Sequence, residues 1–416
     1  MQQDETGHAR HQGAAGPFPP ESPATVGNWQ DPPHHRWAFL HMREVLLSQL
    51  IAAEPATTLA LPEAQQPVGS VELTRLDGSI GTLDEVLADT CTDAFLMLHN
   101  GQVIEERYSA GMTRHSRHLV MSVSKSIVGC VAGCLVERRL IDEGADVSKY
   151  VPEATASGYN GATVRNLLDM RTGVAFRETY TDIDAEVRVM ERSMGWRPME
   201  QGDPVGAYAY LTTLGTAGPH GGRFTYRSAD TDMLGWVCER AAGTRMAELI
   251  SGSIWAPMGA EFDAEITCDS VGTAIHDGGI SATVRDLGRF GQMLLEDGLA
   301  GGRRVVPSRW LAESHHPGSD VREAFAASPD EAVLPGAWYR NQFWFIPGRN
   351  GVNLVCLGIH GQMVHVNPAT RTVTVKLSTW PDAQNLAHLI DTLRACAAAG
   401  AYLAERDDHP VTSTAG

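Results

Sequence analysis

Strand-forming runs lie at both ends of this 416-residue chain, and helix-forming runs lie between them. Residues 94–99 and 102–108 flank Asn100-Gly101, a dipeptide suited to the left-handed residues of a tight hairpin. Far downstream, 342–345, 354–357, 363–366 and 371–377 again read as strands. The last two form a hairpin around Asn367-Pro368-Ala369-Thr370. Between the two groups, 126–141, 164–170, 233–242 and 285–299 carry helical periodicity, with Leu287, Phe290, Met293 and Leu294 on one face. A final helix is expected over about 383–404. Such an order fits one α/β (α+β) body assembled from 29–135 and 285–405, an antiparallel sheet flanked by helices. A mostly helical lobe is inserted over 136–284. Residues 1–28, rich in Gly, Pro, Gln and Ala, are expected to form a loose arm, and 406–416 a frayed tail.

Chemistry enters where the first hairpin gives way to the first helix. Ser122-Val123-Ser124-Lys125 opens an apolar stretch that contains one of only three lysines in the chain. Positions i and i+3 share a helix face, so an amine comes within reach of a hydroxyl by local geometry alone. A serine hydroxyl is a weak nucleophile until a base takes its proton. Semi-burial is expected to lower the lysine pKa and make it such a base. The alternative is a plain helix start with Ser122 as cap and Lys125 solvated, although a lysine in the first turn opposes the helix dipole. Tyr226-Arg227-Ser228 precedes the helical run at 233, with Ser228 placed as an N-cap and Tyr226 either facing a cleft or simply packed. Gly358-Ile359-His360-Gly361-Gln362 interrupts two strands. Glycines there mark close approach of backbone or ligand, so an N–H at this edge can join that of Ser122 in holding an oxyanion. The alternative is a bulge closed by a structural His360 hydrogen bond.

Composition narrows the remaining classes. A net charge of −17 argues against nucleic acid and anionic membranes as partners. The opening residues lack a basic segment followed by an apolar one, and the longest apolar run, near 127–136, is too short to span a bilayer. The seven cysteines include no CxxC pair and read as free thiols of a reducing cytoplasm. Sixteen histidines include no HExxH, so no metal is expected. No G-x-S-x-G elbow, Walker loop or dinucleotide fingerprint occurs, and no cofactor is expected.

Ser-x-x-Lys, Tyr-x-Ser and a Gly-rich strand edge, in that order, resemble the serine β-lactamase and penicillin-recognising superfamily, especially its class C and esterase branch. The likeness narrows at residues 29–39 (WQDPPHHRWAF), 121–126 (MSVSKS), 192–197 (RSMGWR), 358–362 (GIHGQ) and 380–382 (WPD). These look like the 6-aminohexanoate-dimer hydrolases, nylon-oligomer hydrolases that are also carboxylesterases, and the likeness runs from about 29 to 400. It implies a β-lactamase/transpeptidase-like fold and a homodimer acting on small amides or esters. Ser122 would be the nucleophile, Lys125 its base and Tyr226 the proton relay to the leaving amine, with the N–H groups of Ser122 and Ile359 as the oxyanion hole. Tyr180 would bond the scissile nitrogen, Trp344 would wall the substrate, and Glu191 would meet its ammonium, with Asp277 and His360 nearby. Cys356-Leu357-Gly358 stands where β-lactam enzymes carry Lys-Thr-Gly, and Tyr-x-Ser replaces Tyr-x-Asn. Both departures argue against penicillin turnover. His276, Met190 and Phe343 also depart from the nylon hydrolases, so ester cleavage is the firmer expectation than amide cleavage. Acyl transfer or peptidase activity on the same fold, and a silent binding protein, are the rival readings.

Overall fold

The computed structural model describes residues 23–408. Expectations for 1–22 and 409–416 lie outside the described residues. Where the arm was expected to continue, Thr25–Asn28 instead forms a hydrogen-bonded turn, Asn28 N–H donating to the Thr25 carbonyl at 3.0 Å. That turn delivers Trp29 into the core, where its indole N–H donates to the Trp196 carbonyl at 2.8 Å and the two rings meet edge to face. Two segments quoted for their resemblance, far apart in sequence, therefore close on each other.

The main sheet has seven strands: β1 (Thr92–His99), β2 (Gln102–Tyr108), β3 (Trp338–Arg340), β4 (Phe343–Gly348), β5 (Gly351–Gly358), β6 (Gln362–Asn367) and β7 (Thr372–Ser378). Their order is β3-β4-β5-β6-β7-β1-β2, antiparallel throughout. The join between the two ends of the chain is β7 on β1, with Thr372 opposite His99 and Val375 opposite Leu96. Successive strand residues point to opposite faces, and β1 is buried on both. Leu96 and Leu98 enter the main core, while Phe95 and Met97 enter a second cluster with Leu83, Val86, Ala399 and Leu403. A fully buried strand of this kind reads as a continuous apolar run rather than an alternating one.

Five helices matter for the site: α1 (Val123–Glu137), α2 (Glu186–Ser193), α3 (Ser228–Ala242), α4 (Val284–Leu295) and α5 (Leu386–Asp408). The amphipathic α4 packs on the sheet against β6, β7 and β1. Its start is fixed by Thr283, whose hydroxyl accepts from Asp286 N–H at 3.1 Å. The last helix covers the opposite face and reaches Asp408, past the start of the expected tail. Helix α1 is buried on almost every side, which is the signature of a core helix rather than a surface one. It lies between the sheet and α3. A smaller sheet pairs Ser48–Ile51, Ala264–Thr267, Ile280–Ala282 and His118–Leu119, and its last strand leads directly into the turn before α1.

Gly129 is what lets α1 lie this close to the β3–β4 turn. A Cβ there would sit 2.5 Å from the Asn341 carbonyl oxygen and 2.8 Å from Gln342 Cβ. Helix propensity alone makes Gly129→Ala stabilising by about 1 kcal/mol, whereas forced overpacking against backbone costs about 1–3 kcal/mol. The expected outcome is net destabilisation, read as a lower thermal midpoint. A raised midpoint would refute the close approach.

Candidate active site

Ser122 sits at the N-terminus of α1, in the N-cap position, but its side chain makes no capping bond. The residue before it, Met121, is held at φ 48°. Left-handed backbone is costly for a non-glycine and gathers at functional turns. One turn on, Lys125 is 1% exposed. Its Nζ donates to Ser122 Oγ at 2.7 Å, Ser228 Oγ at 3.0 Å and the Asp277 carbonyl at 2.7 Å, and the Asp277 Oδ2 lies 3.5 Å away. The solvated-lysine alternative is thereby excluded.

The expected lowering of the Lys125 pKa is corrected. Burial does pull it down, but Tyr226, Asp277, Glu178 and Asp232 crowd the ammonium and the net direction is upward. Favourable charges outweigh desolvation, so the resting amine holds its proton. Ser228 is corrected as well. Arg227 occupies the N-cap position of α3 and Ser228 is the first helical residue. Its hydroxyl, instead of capping, donates to Glu178 Oε1 at 2.7 Å.

Tyr226 packs beside Ser122 and Lys125, whose Nζ lies 5.2 Å from the centre of its ring. Burial pushes its pKa up, the Lys125 ammonium opposes this and Glu178 adds to it, leaving the phenol protonated. Its ring stacks on Trp344 with centroids 5.5 Å apart. Both rings line a cavity of about 330 Å³ with Ser122, Leu357, Ile359 and Trp380. A narrow second recess on the other side of Ser122 is lined by Tyr180, Glu191, Asp277, Trp196 and Ile359. Ser122, Tyr180 and Ile359 thus border both spaces. The larger cavity has room for one arm of a substrate whose carbonyl sits at Ser122, whereas the second recess, about 10 Å³, holds no more than about one water-sized group.

Among the carboxylates, Glu191 reaches the second recess, but its Oε2 accepts from Arg188 Nη1 and Arg197 Nε, both at 2.6 Å. The negative charge expected to await an ammonium is already matched by two guanidinium groups. Asp277 is buried, with 6% of its surface exposed. Burial first, and then the charge of Asp232, push its carboxyl up to about 6. Asp232 Oδ1 accepts the backbone N–H groups of His276 and Asp277 at 2.9 and 3.1 Å. Burial disfavours the His276 imidazolium, yet Asp232 and Glu239 raise it to about 9. Glu178 is a site residue that sequence reasoning missed. The available signal was its place two residues before Tyr180.

His360 is corrected from a substrate contact to a support for the strand edge. Its backbone is left-handed, φ 58°, and its Nδ1 donates to the Trp380 carbonyl at 2.7 Å. The ring packs edge-on against Phe39 and His35, facing the core, while its neighbours Ile359 and Gly361 face the cavity. Gly361 is pressed against Trp380, where a Cβ would come within 2.3 Å of the indole. The structural His360 bond expected of this segment is therefore present, and it leaves Ile359 at the cavity wall. Among the described residues, no group of three or more His, Cys, Asp or Glu side chains is placed to hold a metal. No helix of the described residues is long and apolar enough to cross a membrane.

With this geometry in place, similarity to known proteins can be weighed. Residues 87–399 match the family described as Beta-lactamase. The chain is 41% identical over 375 residues to the 6-aminohexanoate-dimer hydrolase of Paenarthrobacter ureafaciens, covering 90% of this chain and 91% of that protein. A Bacillus anthracis structure carrying a provisional 6-aminohexanoate-dimer hydrolase name superposes with a TM-score of 0.84 at 27% identity, covering 92% of this chain and 98% of that one. A more distant structure, EstCE1, a hydrolase with promiscuous acyltransferase activity, gives 0.59 at 17% identity, with 75% and 96% covered, and shares the fold.

Burial depresses His360 to about 4 from an ordinary 6.5, so folding favours the neutral ring. The sign follows: its contribution is present above pH 6.5 and is lost as pH falls toward 4, by an amount of order 3 kcal/mol. Chemical denaturation between pH 7.5 and 4.5 is expected to show acid destabilisation. The slope should flatten in His360→Asn, because asparagine tolerates left-handed backbone but does not titrate.

Proposed function

As a member of the beta-lactamase family and, within it, of the 6-aminohexanoate-dimer hydrolases, the chain is a serine hydrolase, and we propose that it cleaves small linear amides and carboxylesters through an acyl-enzyme on Ser122. The observation that carries this reading is the 2.7 Å contact from Lys125 Nζ to Ser122 Oγ, at the meeting point of two recesses. In the active form Lys125 is an amine, one proton short of its resting state. It takes the Ser122 proton as Oγ attacks the carbonyl carbon. Charge then develops on the carbonyl oxygen, where the N–H groups of Ser122 and Ile359 would receive it. Tyr226, in contact with both Ser122 and Lys125, passes that proton to the leaving oxygen or nitrogen. Water enters by the same route in reverse and releases the acid.

The walls favour an apolar, extended substrate, since Trp344, Leu357, Ile359 and Trp380 form one side of the larger cavity. A linear amide of the 6-aminohexanoate-dimer type has a flexible methylene arm that suits the larger cavity. The relative's printed name supports this substrate class for the present chain. Alkoxide leaves more readily than amine, so esters are expected to be turned over faster.

The test uses 6-aminohexanoate linear dimer beside a p-nitrophenyl ester of a short acid. Both are expected to be hydrolysed, and Ser122→Ala should abolish both. Lys125→Ala should lower kcat/KM at least about 10³-fold, in line with loss of a general base plus nucleophile activation. Because the amine form is the active one, log kcat/KM should rise with pH from neutral into the alkaline range. Full activity in Ser122→Ala, or a rate that falls with rising pH, would refute the mechanism.

A further inference from the structure

Glu178 lies on the loop that leads into α2, two residues before Tyr180, half-buried, with its carboxylate at the wall of the larger cavity. Three donors converge on it. Its Oε1 accepts from Tyr180 Oη at 2.8 Å and Ser228 Oγ at 2.7 Å, and its Oε2 accepts from Ser228 N–H at 2.5 Å. A carboxylate only accepts, and a hydroxyl has one hydrogen and two lone pairs. Both hydroxyls therefore have their only hydrogen committed to Glu178. Tyr180 keeps that hydrogen firmly: burial, and then the neighbouring Glu178 charge, push its pKa well up.

We propose that Glu178 is a positioning residue that fixes the direction of two hydroxyl hydrogen bonds, so that Tyr180 presents only lone pairs to the substrate and Ser228 presents only lone pairs to Lys125. The proposal rests on the hydrolase reading above, with Ser122 as the attacking group. For Lys125 the consequence is geometric. Ser228 Oγ and the Asp277 carbonyl each need one N–H from Nζ. When the amine has lost one proton its two remaining hydrogens go to these acceptors, and the lone pair is left facing Ser122 Oγ. No other arrangement satisfies all three contacts.

For Tyr180 the consequence is selectivity. It borders both recesses beside Ser122, where the atom next to a scissile carbonyl must lie. A secondary amide offers an N–H there and finds an acceptor. An ester offers only lone pairs and meets lone pairs. A polar group built to pair with a substrate hydrogen discriminates strongly against an analogue lacking it. Glu178 thus biases the site toward the amide, partly offsetting the poorer leaving group.

Glu178→Gln tests this with little change of shape. Its Oε2 position must stay oxygen to receive Ser228 N–H, which puts an NH₂ against both hydroxyls and turns their hydrogens outward. We expect kcat/KM for the linear dimer to fall about 100-fold or more, and for an ester of the same acyl group about 10-fold, so that the amide-to-ester ratio drops roughly tenfold. In a Tyr180→Phe background the same substitution should lower both substrates by one common factor. Glu178→Asp, still an acceptor, should keep most of the wild-type ratio. An equal loss for amide and ester with Tyr180 intact would overturn the proposal. Should Glu178→Gln fail to fold, judged by its melting transition, the dimer is compared with its N-methylated tertiary amide. The preference for the secondary amide should shrink in Tyr180→Phe, and an unaltered preference would equally overturn it. Residual turnover in Ser122→Ala would count against the hydrolase reading and not against the role of Glu178.

Discussion

Everything at the site depends on one buried ammonium. Lys125 Nζ is surrounded by the Ser122 hydroxyl, the Ser228 hydroxyl, and the carbonyl and carboxylate of Asp277, drawn from three parts of the chain. Burying a lone cation is prohibitively expensive unless it is paired and fully hydrogen-bonded. The fold meets that demand by bringing the start of α1, the start of α3 and the 276–278 loop to one point. The same demand explains the second layer, in which Asp232 holds the backbone of that loop and Glu178 ties α3 to the Tyr180 segment. Remove the charge and most of these polar groups have no reason to be buried.

The balance of charges makes this a different kind of Ser-x-x-Lys site from one that relies on desolvation alone. Burial by itself lowers a lysine pKa, but here the surrounding groups, the carboxylates of Asp277, Glu178 and Asp232 among them, reverse the direction. The protein therefore keeps Lys125 protonated at rest. In the Glu191 region the opposite has happened, since two arginines neutralise a carboxylate that the substrate was expected to meet. Charge has been concentrated around the amine and cancelled at the far end of the recess.

Much of this was legible in the sequence, for identifiable reasons. The Asn100-Gly101 hairpin, the apolar β1 and the amphipathic α4 each carry a local pattern whose period matches the structure. Ser122 and Lys125 were visible because one helical turn joins them. Tyr226, Tyr180 and Trp344 were legible only through resemblance, since nothing local says that they reach the same cavity. Asp232 carries no pattern at all, and Glu178 only its place beside Tyr180. Their roles arise from long-range hydrogen bonds, of the kind Glu178 makes to Ser228 fifty residues away. His360 was misjudged because sequence cannot say which way a side chain points from a left-handed residue. Ser228 was misjudged because a serine before a helical run has two uses, and tertiary contacts decided between them.

The seam where β7 meets β1 has a bearing on how the protein is made. During synthesis the first hairpin and the Ser122 helix leave the ribosome long before Thr372–Ser378 exists, so Thr92–His99 waits with an open edge. The strand edge at Ile359 and the wall at Trp380 also arrive late. A nascent chain accordingly carries Ser122 without the strand edge and wall that complete the proposed site, which comes together only with the closing of the sheet.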